Sequence, residues 1–276
     1  MGDLLGLSRA ELASSEALLR SRFRLHVVTV LLAIAALVVG APATYWLALA
    51  GLASEATAWV IRLIAHQRAV RGNRGLRLTM LSRNLGYENS RESADMRASF
   101  STAAKSEASR YIDDSYWQGG GEPGPESLRA ALQESAFWSA HLYGKAKFAP
   151  AVKAIALGIA AVAALLIVAL DGDQKATVTV ARMVVVLFGF LIATDLIDEA
   201  LEFHTAGEAA REIQKRLDTV DMSSLATALE VFSDYALATA TAPPIPDRIW
   251  EEEKDTLEAL WEERVPMAPG PGGGRP

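Results

Sequence analysis

The chain has 276 residues, 51% of them hydrophobic and 22% charged, with a formal net charge of −6 and no cysteine. The missing cysteine excludes disulfides and thiolate chemistry. Charge is uneven in sign, with Arg concentrated in residues 20–83 and Asp and Glu in residues 195–264, so the two halves meet or one faces an anionic lipid or ligand.

Ser8-Arg9-Ala10-Glu11 reads as a capping box, with Leu7 and Leu12 spaced as a hydrophobic staple. It predicts a helix that starts there and runs into the first apolar run, with Leu4, Leu5 and Leu7 lying on a membrane surface. That run extends from His26 to Arg62, broken by an uncharged turn near Gly40 to Thr44. A second double run covers residues 152–197, broken by a turn carrying Asp171, Asp173 and Lys175. A hydrocarbon core about 30 Å thick needs roughly 20 apolar helical residues, so each double run suffices for two crossings. The expected fold is all-α: an integral membrane protein with four transmembrane helices in two hairpins and a cytosolic helical bundle. The segments are an N-terminal amphipathic helix (1–25), hairpin 1 (26–66), a cytosolic segment (67–148), hairpin 2 (149–197), C-terminal cytosolic helices (198–264) and a disordered tail (265–276).

Arg20, Arg22 and Arg24 precede the first span, Arg62, Arg68, Arg71, Arg74 and Arg77 follow the second, and Lys145, Lys147 and Lys153 flank the third. Cytoplasmic flanks carry the Lys/Arg excess, so both termini and the middle segment are expected inside the cell. Two alternatives weigh less. Ala41-Pro42-Ala43 fits a signal-peptide cleavage pattern, but a second apolar run follows at once. Two buried hairpins of a soluble protein would need runs shorter than these.

Between the hairpins, Met96, Phe100, Ala104, Glu107 and Tyr111 form a weak helical stripe. The glycines and prolines from Gly119 to Pro125 read as a loop, with Pro125 opening a new helix. That helix carries Leu128, Ala131, Leu132, Trp138 and Leu142 near one face, and Pro150 marks a boundary or kink before span three. Past span four, Ala206, Ala210, Ile213, Leu217 and Val220 make a heptad-like seam; Met222, Leu225, Leu229, Phe232 and Ala236 repeat it after a break near Asp221. Such seams need a partner helix, within the chain or in a second copy. Ala242 to Pro246 is a rigid connector, and residues 247–264 an acidic amphipathic helix with Ile249, Trp250, Leu257, Leu260 and Trp261.

No phosphate-cradling glycine loop and no hydrolase elbow occurs. His26, His66, His141 and His204 lack metal-ligand spacing. The reading is therefore no enzyme, no cofactor and no metal. Glu55 lies near the middle of the second span, where a carboxylate is costly; it lines a pore or pairs with another helix. Asp195, Asp198, Glu199 and Glu202 share one helical face at the inner end of span four. They would form an acidic ring at a pore mouth or pair with the Arg-rich stretch. Arg68, Arg71, Arg74 and Arg77 are candidates for binding phosphates or lipid headgroups. Tyr111, Trp117 and Trp138 are candidates for stacking on nucleobases, or members of the cytosolic core.

The two-hairpin plan, with DSYW at 114–117 before a Gly/Pro loop and the phrases at 125–144 and 243–262, resembles the SMODS-associated four-transmembrane effectors of bacterial antiphage signalling. The resemblance implies a homo-oligomeric effector in the bacterial inner membrane. It would act with a nucleotidyltransferase whose cyclic oligonucleotide its cytosolic part senses, and would permeabilise the bilayer. No ligand residues carry over, because the family resemblance brings no fixed pocket motif. A membrane-anchored scaffold that recruits partners through its cytosolic helices is the alternative.

Overall fold

The computed structural model describes residues 2–39, 41–87, 90–112, 122–171, 183–184, 186, 189, 195–221, 224–240 and 242–264. These residues are helical or in short connections, with no strand among them. Trp117, residues 119–121 of the glycine- and proline-rich loop, most of span four and the tail lie outside the described residues.

Helices α1 (Gly2–Val38) and α2 (Ala41–Leu85) form an antiparallel hairpin of 37 and 45 residues, turning where the uncharged break was expected. At 1.5 Å per residue α2 is about 67 Å long, more than twice a hydrocarbon core. Helix α1 starts earlier than the Ser8 box predicts. Leu4, Leu5 and Leu7 are buried rather than laid on a surface, and that packing extends the helix upstream. Ser8 therefore sits inside the helix, its Oγ donating to the Leu4 carbonyl at 2.7 Å. Glu11 instead accepts from Ser101 N and Oγ at 3.1 and 2.6 Å.

Ser101 is the N-cap of α4 (Thr102–Glu107), which follows α3 (Ser90–Ser99) and leads into a 3-10 turn, Ala108–Tyr111. The break at Ser101 changes the helical phase. Met96, Phe100, Ala104 and Ala108 pack on Leu4, Leu7, Ala10 and Leu78, with Tyr111 at the edge, while Glu107 turns to solvent. Gly75 permits the close crossing of α1, α2 and this segment: a Cβ there would lie 2.9 Å from Phe100 Cζ and would collide with Ser8 Oγ. Helix α2 ends at Gly86, whose φ of +67° suits glycine. Asn84 then ties the chain onward, accepting from Gly124 N at 2.7 Å and from Ser127 Oγ at 2.9 Å.

Helix α5 (Pro125–Ala146) opens on its proline as predicted, and breaks at Lys147 before α6 (Phe148–Asp171), close to the boundary expected at Pro150. Helix α7 (Leu196–Thr219) lies along α5, and its seam of Ala206, Ala210, Ile213 and Leu217 is buried within the chain. The second seam is kept only in part: Phe232 packs against the core, but the rest of the buried face is displaced from the expected one. In α8 (Leu225–Ala238) the buried residues are Ala228 and Val231, while Leu225 and Leu229 are exposed. A hydrogen bond between Tyr235 Oη and Ser139 Oγ, 2.8 Å, fixes the face that α8 turns to α5. Leu5, Met80, Leu128, Leu132, Leu217 and Val231 meet in one core, so five helices share it. Helix α9 (Asp247–Arg264) has the predicted bounds and straps across α5. Trp250 stacks on Trp138 with centroids 4.9 Å apart, Trp261 leans on Phe137, and Leu257 is fully buried.

The tip of the α1/α2 hairpin and the length of α6 show a different surface. Val28, Leu31, Trp46, Leu52, Trp59 and Val60 are exposed, as are Val152, Ile155, Ile159, Val162 and Leu166. Contiguous apolar area on this scale is uncommon on a water-solvated monomer.

Candidate functional site at the base of the apolar hairpin

Residues 27–61 contain one charged side chain, Glu55. Its Oε1 is 3.0 Å from Nδ1 of His26, a histidine only 4% exposed. Counting 1.5 Å per residue, both lie about 20 Å from the hairpin tip. Glu55 is thus partnered across the two helices, and Ser54 Oγ reinforces the junction by donating to the Leu25 carbonyl at 3.1 Å. The outer nitrogen of His26 is buried with no hydrogen-bond partner among the described residues. Histidine at this position was expected only to pack at an interface.

About 10 Å further from the tip the apolar surface gives way to charge. Asp195 Oδ2 is 2.9 Å from Arg22 Nη2 and 2.8 Å from Arg62 Nη1, joining α1, α2 and the start of α7. Asp195 adopts left-handed backbone, φ 53° and ψ 25°, which the short polar side chains of Asp and Asn tolerate best after glycine. Of the two uses foreseen for the acidic face, Asp195 takes the pairing with arginine. Asp198 and Glu202 are exposed on the first turns of α7, and Glu199 is half-buried beside them. Burial lifts the Glu199 carboxyl above the usual range, opposed by Lys153 and Arg22.

The four arginines expected to bind phosphate do not converge. Steps of three residues turn the helix back by about 60° each time, so Arg68, Arg71, Arg74 and Arg77 fan over about half its circumference. Arg68 donates to Ser14 Oγ. Arg71 donates to the Ser99 carbonyl at 2.9 Å and pairs with buried Glu11 at 3.5 Å. Arg74 pairs with Glu92 at 3.5 Å on an open cleft whose Asp95 also opposes an anion. Arg77 is half-buried beside Tyr235, and burial pulls its guanidinium below the ordinary value. Three of the four therefore tie α2 to its neighbours.

The aromatic candidates are equally dispersed: Tyr111 packs at the start of α1 and Trp138 is covered by Trp250. Sequence reasoning missed Glu11 and Glu16 as tethers. Glu16 accepts from the backbone N–H of Asp247 at 3.2 Å, capping α9 as Glu11 caps α4. Their five-residue spacing along a polar stretch of α1 was visible, but the partners are 90 and 231 residues away. Among the described residues no group of His, Asp and Glu has the arrangement of a metal site.

The molecule is an all-helical protein in which, among the described residues, one helix, Pro42–Leu85, is long and apolar enough to cross a membrane. Only 11% of its most apolar window is buried, whereas a core helix of a soluble protein buries most of such a window. No protein-family model matches the chain, and no curated protein or solved structure matches it.

Proposed function

We propose that this chain is a four-span membrane effector of an antiphage system, with both termini in the bacterial cytoplasm. Its cytosolic helices sense a cyclic nucleotide made by a partner nucleotidyltransferase, and assembled copies permeabilise the inner membrane. The observation that carries the membrane part is the hairpin tip. Trp46, Leu52 and Trp59 are 69%, 68% and 60% exposed, in a stretch whose one carboxylate is already paired. Lipid satisfies such a surface and water does not. The Arg22, Arg62 and Asp195 cluster lies about 27–33 Å from the tip, a depth that suits an inner boundary. The defence role and the messenger rest on the family resemblance. The uninterrupted passage of α1 and α2 from the apolar tip into the helical core supports coupling between the two regions, since packed rods transmit displacement.

The test is reconstitution of the full chain in liposomes holding a self-quenched dye, with cyclic di-AMP, cyclic di-GMP and cyclic tri-AMP as probes. Leakage triggered by one of them supports the effector reading. Correctly inserted protein that stays tight against the whole panel refutes it. Recovery of the untagged chain from the supernatant of a high-speed spin without detergent refutes the membrane reading itself.

A further inference from the structure

A second concave surface lies away from the arginines of α2. It is a cleft of about 410 Å³ between α5, α7 and α9, lined by Phe137 and His141, Arg211 and Lys215, Asp218 and Arg264. Ligand sites run from about 300 to 1,000 Å³, so this one has the size for a nucleotide or one unit of an oligonucleotide. Its lining carries three permanent cations against one carboxylate, the reverse of the balance in the whole chain.

Two of the three cations are held loosely. Arg211 pairs with Glu208 and Lys215 with Glu212 one turn away on the same helix, all of them well exposed. Such pairs contribute little, so an incoming dianion displaces them at small cost. Arg264 is held by Asp218 at 2.8 Å, and its guanidinium lies 6.0 Å from the Phe137 ring centroid. His141 shares Glu253 with Lys145, at 3.1 Å from each. Two guanidiniums offer bidentate geometry to phosphate oxygens, and Phe137, whose ring already meets Trp261 and Arg264, gives the cleft an aromatic wall on which a base stacks by displacing the Arg264 guanidinium toward the phosphate.

We propose that this cleft is the ligand site of the cytosolic part and takes a nucleotide: phosphate on Arg211, Lys215 and Arg264, base on Phe137. The assignment rests on the ligand-gated reading above but moves the site from the Arg68–Arg77 face to α7. Lipid headgroups share the phosphate chemistry but lie out of reach. Arg211 is 16 residues along α7 from Asp195, about 24 Å from the charged boundary. A ligand here bridges α7 to α9, whose first turn hangs on Glu16 of α1, and it touches α5, which leads through Lys147 into α6. The site is therefore linked to two of the helices that rise into the apolar region, α1 and α6.

The experiment is calorimetric titration of the full chain in mild detergent with ATP, cyclic di-AMP and inorganic triphosphate. A nucleotide should bind the wild type, and Arg211→Ala with Lys215→Ala should weaken it about 100-fold, the loss of two charge-assisted contacts. Phe137→Leu should weaken the nucleotide and spare inorganic triphosphate. Arg68→Gln with Arg74→Gln should leave both unchanged. Lys215→Glu, at an exposed position, serves if the double variant loses its melting transition. Wild-type affinity in the α7 variants, loss of affinity in the α2 control, or failure of every probe to bind the wild type overturns the site. Nucleotide-independent binding to phosphatidylglycerol vesicles that is lost in the α7 variants assigns the cleft to headgroups and overturns it too. Calorimetry that succeeds while liposomes stay tight leaves this site standing and removes the effector reading; leakage without loss in the α7 variants does the opposite.

Discussion

Replacing Asp195 by Asn separates the charge of the boundary cluster from its shape. Asn retains an acceptor and the tolerance for left-handed backbone, so the substitution removes the negative charge and little else. The Arg22 side chain is 13% exposed, and a charge-assisted hydrogen bond in such a site contributes about 1.5–3 kcal/mol. The Arg62 side chain is 53% exposed, and its pair is worth about 0.2–1 kcal/mol. Asn recovers part of both, which leaves a loss of about 2 kcal/mol, or a fall in Tm of roughly 4–8 °C for a chain of this size. The assay is thermal unfolding in mild detergent followed by far-UV circular dichroism, with Arg22→Gln and the double variant completing a cycle. Asp195→Gly provides the control for backbone strain, because glycine adopts positive φ freely. A Tm for Asp195→Asn within about 1 °C of wild type refutes the argument, as does full additivity with Arg22→Gln. An Asp195→Gly variant more stable than wild type would mean that strain, not pairing, dominates the site.

Burial lifts the Glu16 carboxyl above its ordinary range, against the pull of the Asp247 N–H and with the push of the Asp247 charge. The native state therefore holds this proton to higher pH than the unfolded chain, so its stabilising share is full in acid and is lost as pH rises through the raised native value. Glu16→Gln keeps an acceptor for Asp247 N and should gain on wild type between about pH 4 and about pH 8 in melting scans; parallel curves would reject the assignment. Leu132 is fully buried in the shared core, and Leu132→Ala should cost about 2–5 kcal/mol. Leu225 is 51% exposed despite its place in the predicted seam, and Leu225→Ala should stay within about 0.5 kcal/mol. Equal losses at the two positions, read as Tm, would put Leu225 back in a buried seam.

The elements legible in the sequence were those fixed by local chemistry. Pro125 opens α5, the 247–264 helix keeps its predicted bounds, and the seam at Ala206, Ala210, Ile213 and Leu217 is buried because one unbroken helix preserves its phase. Phase failed where the chain breaks: α7 ends at Thr219, α8 starts afresh at Leu225, and Leu225 turns outward. The Ser8 box failed because distant packing of Leu4 and Leu5 outweighed a local capping signal. Arginine spacing showed that α2 was basic but not where each side chain would go, since Ser14, Glu11, Glu92 and Tyr235 come from three other helices. The α5, α7 and α9 cleft was invisible for the same reason, its lining being drawn from positions 137 to 264.

Helix α1 runs for 37 residues without interruption, with exposed Leu31 toward one end and Glu11 and Glu16 toward the other. Each of those carboxylates grips the first amide of a different segment, Ser101 and Asp247. Between the two grips α1 is itself bolted to α2, by Ser15 Oγ on the Ala65 carbonyl at 2.8 Å and by Arg68 on Ser14. One short stretch of a single hairpin thus serves as the common footing for the starts of α4 and α9, two segments far apart in sequence.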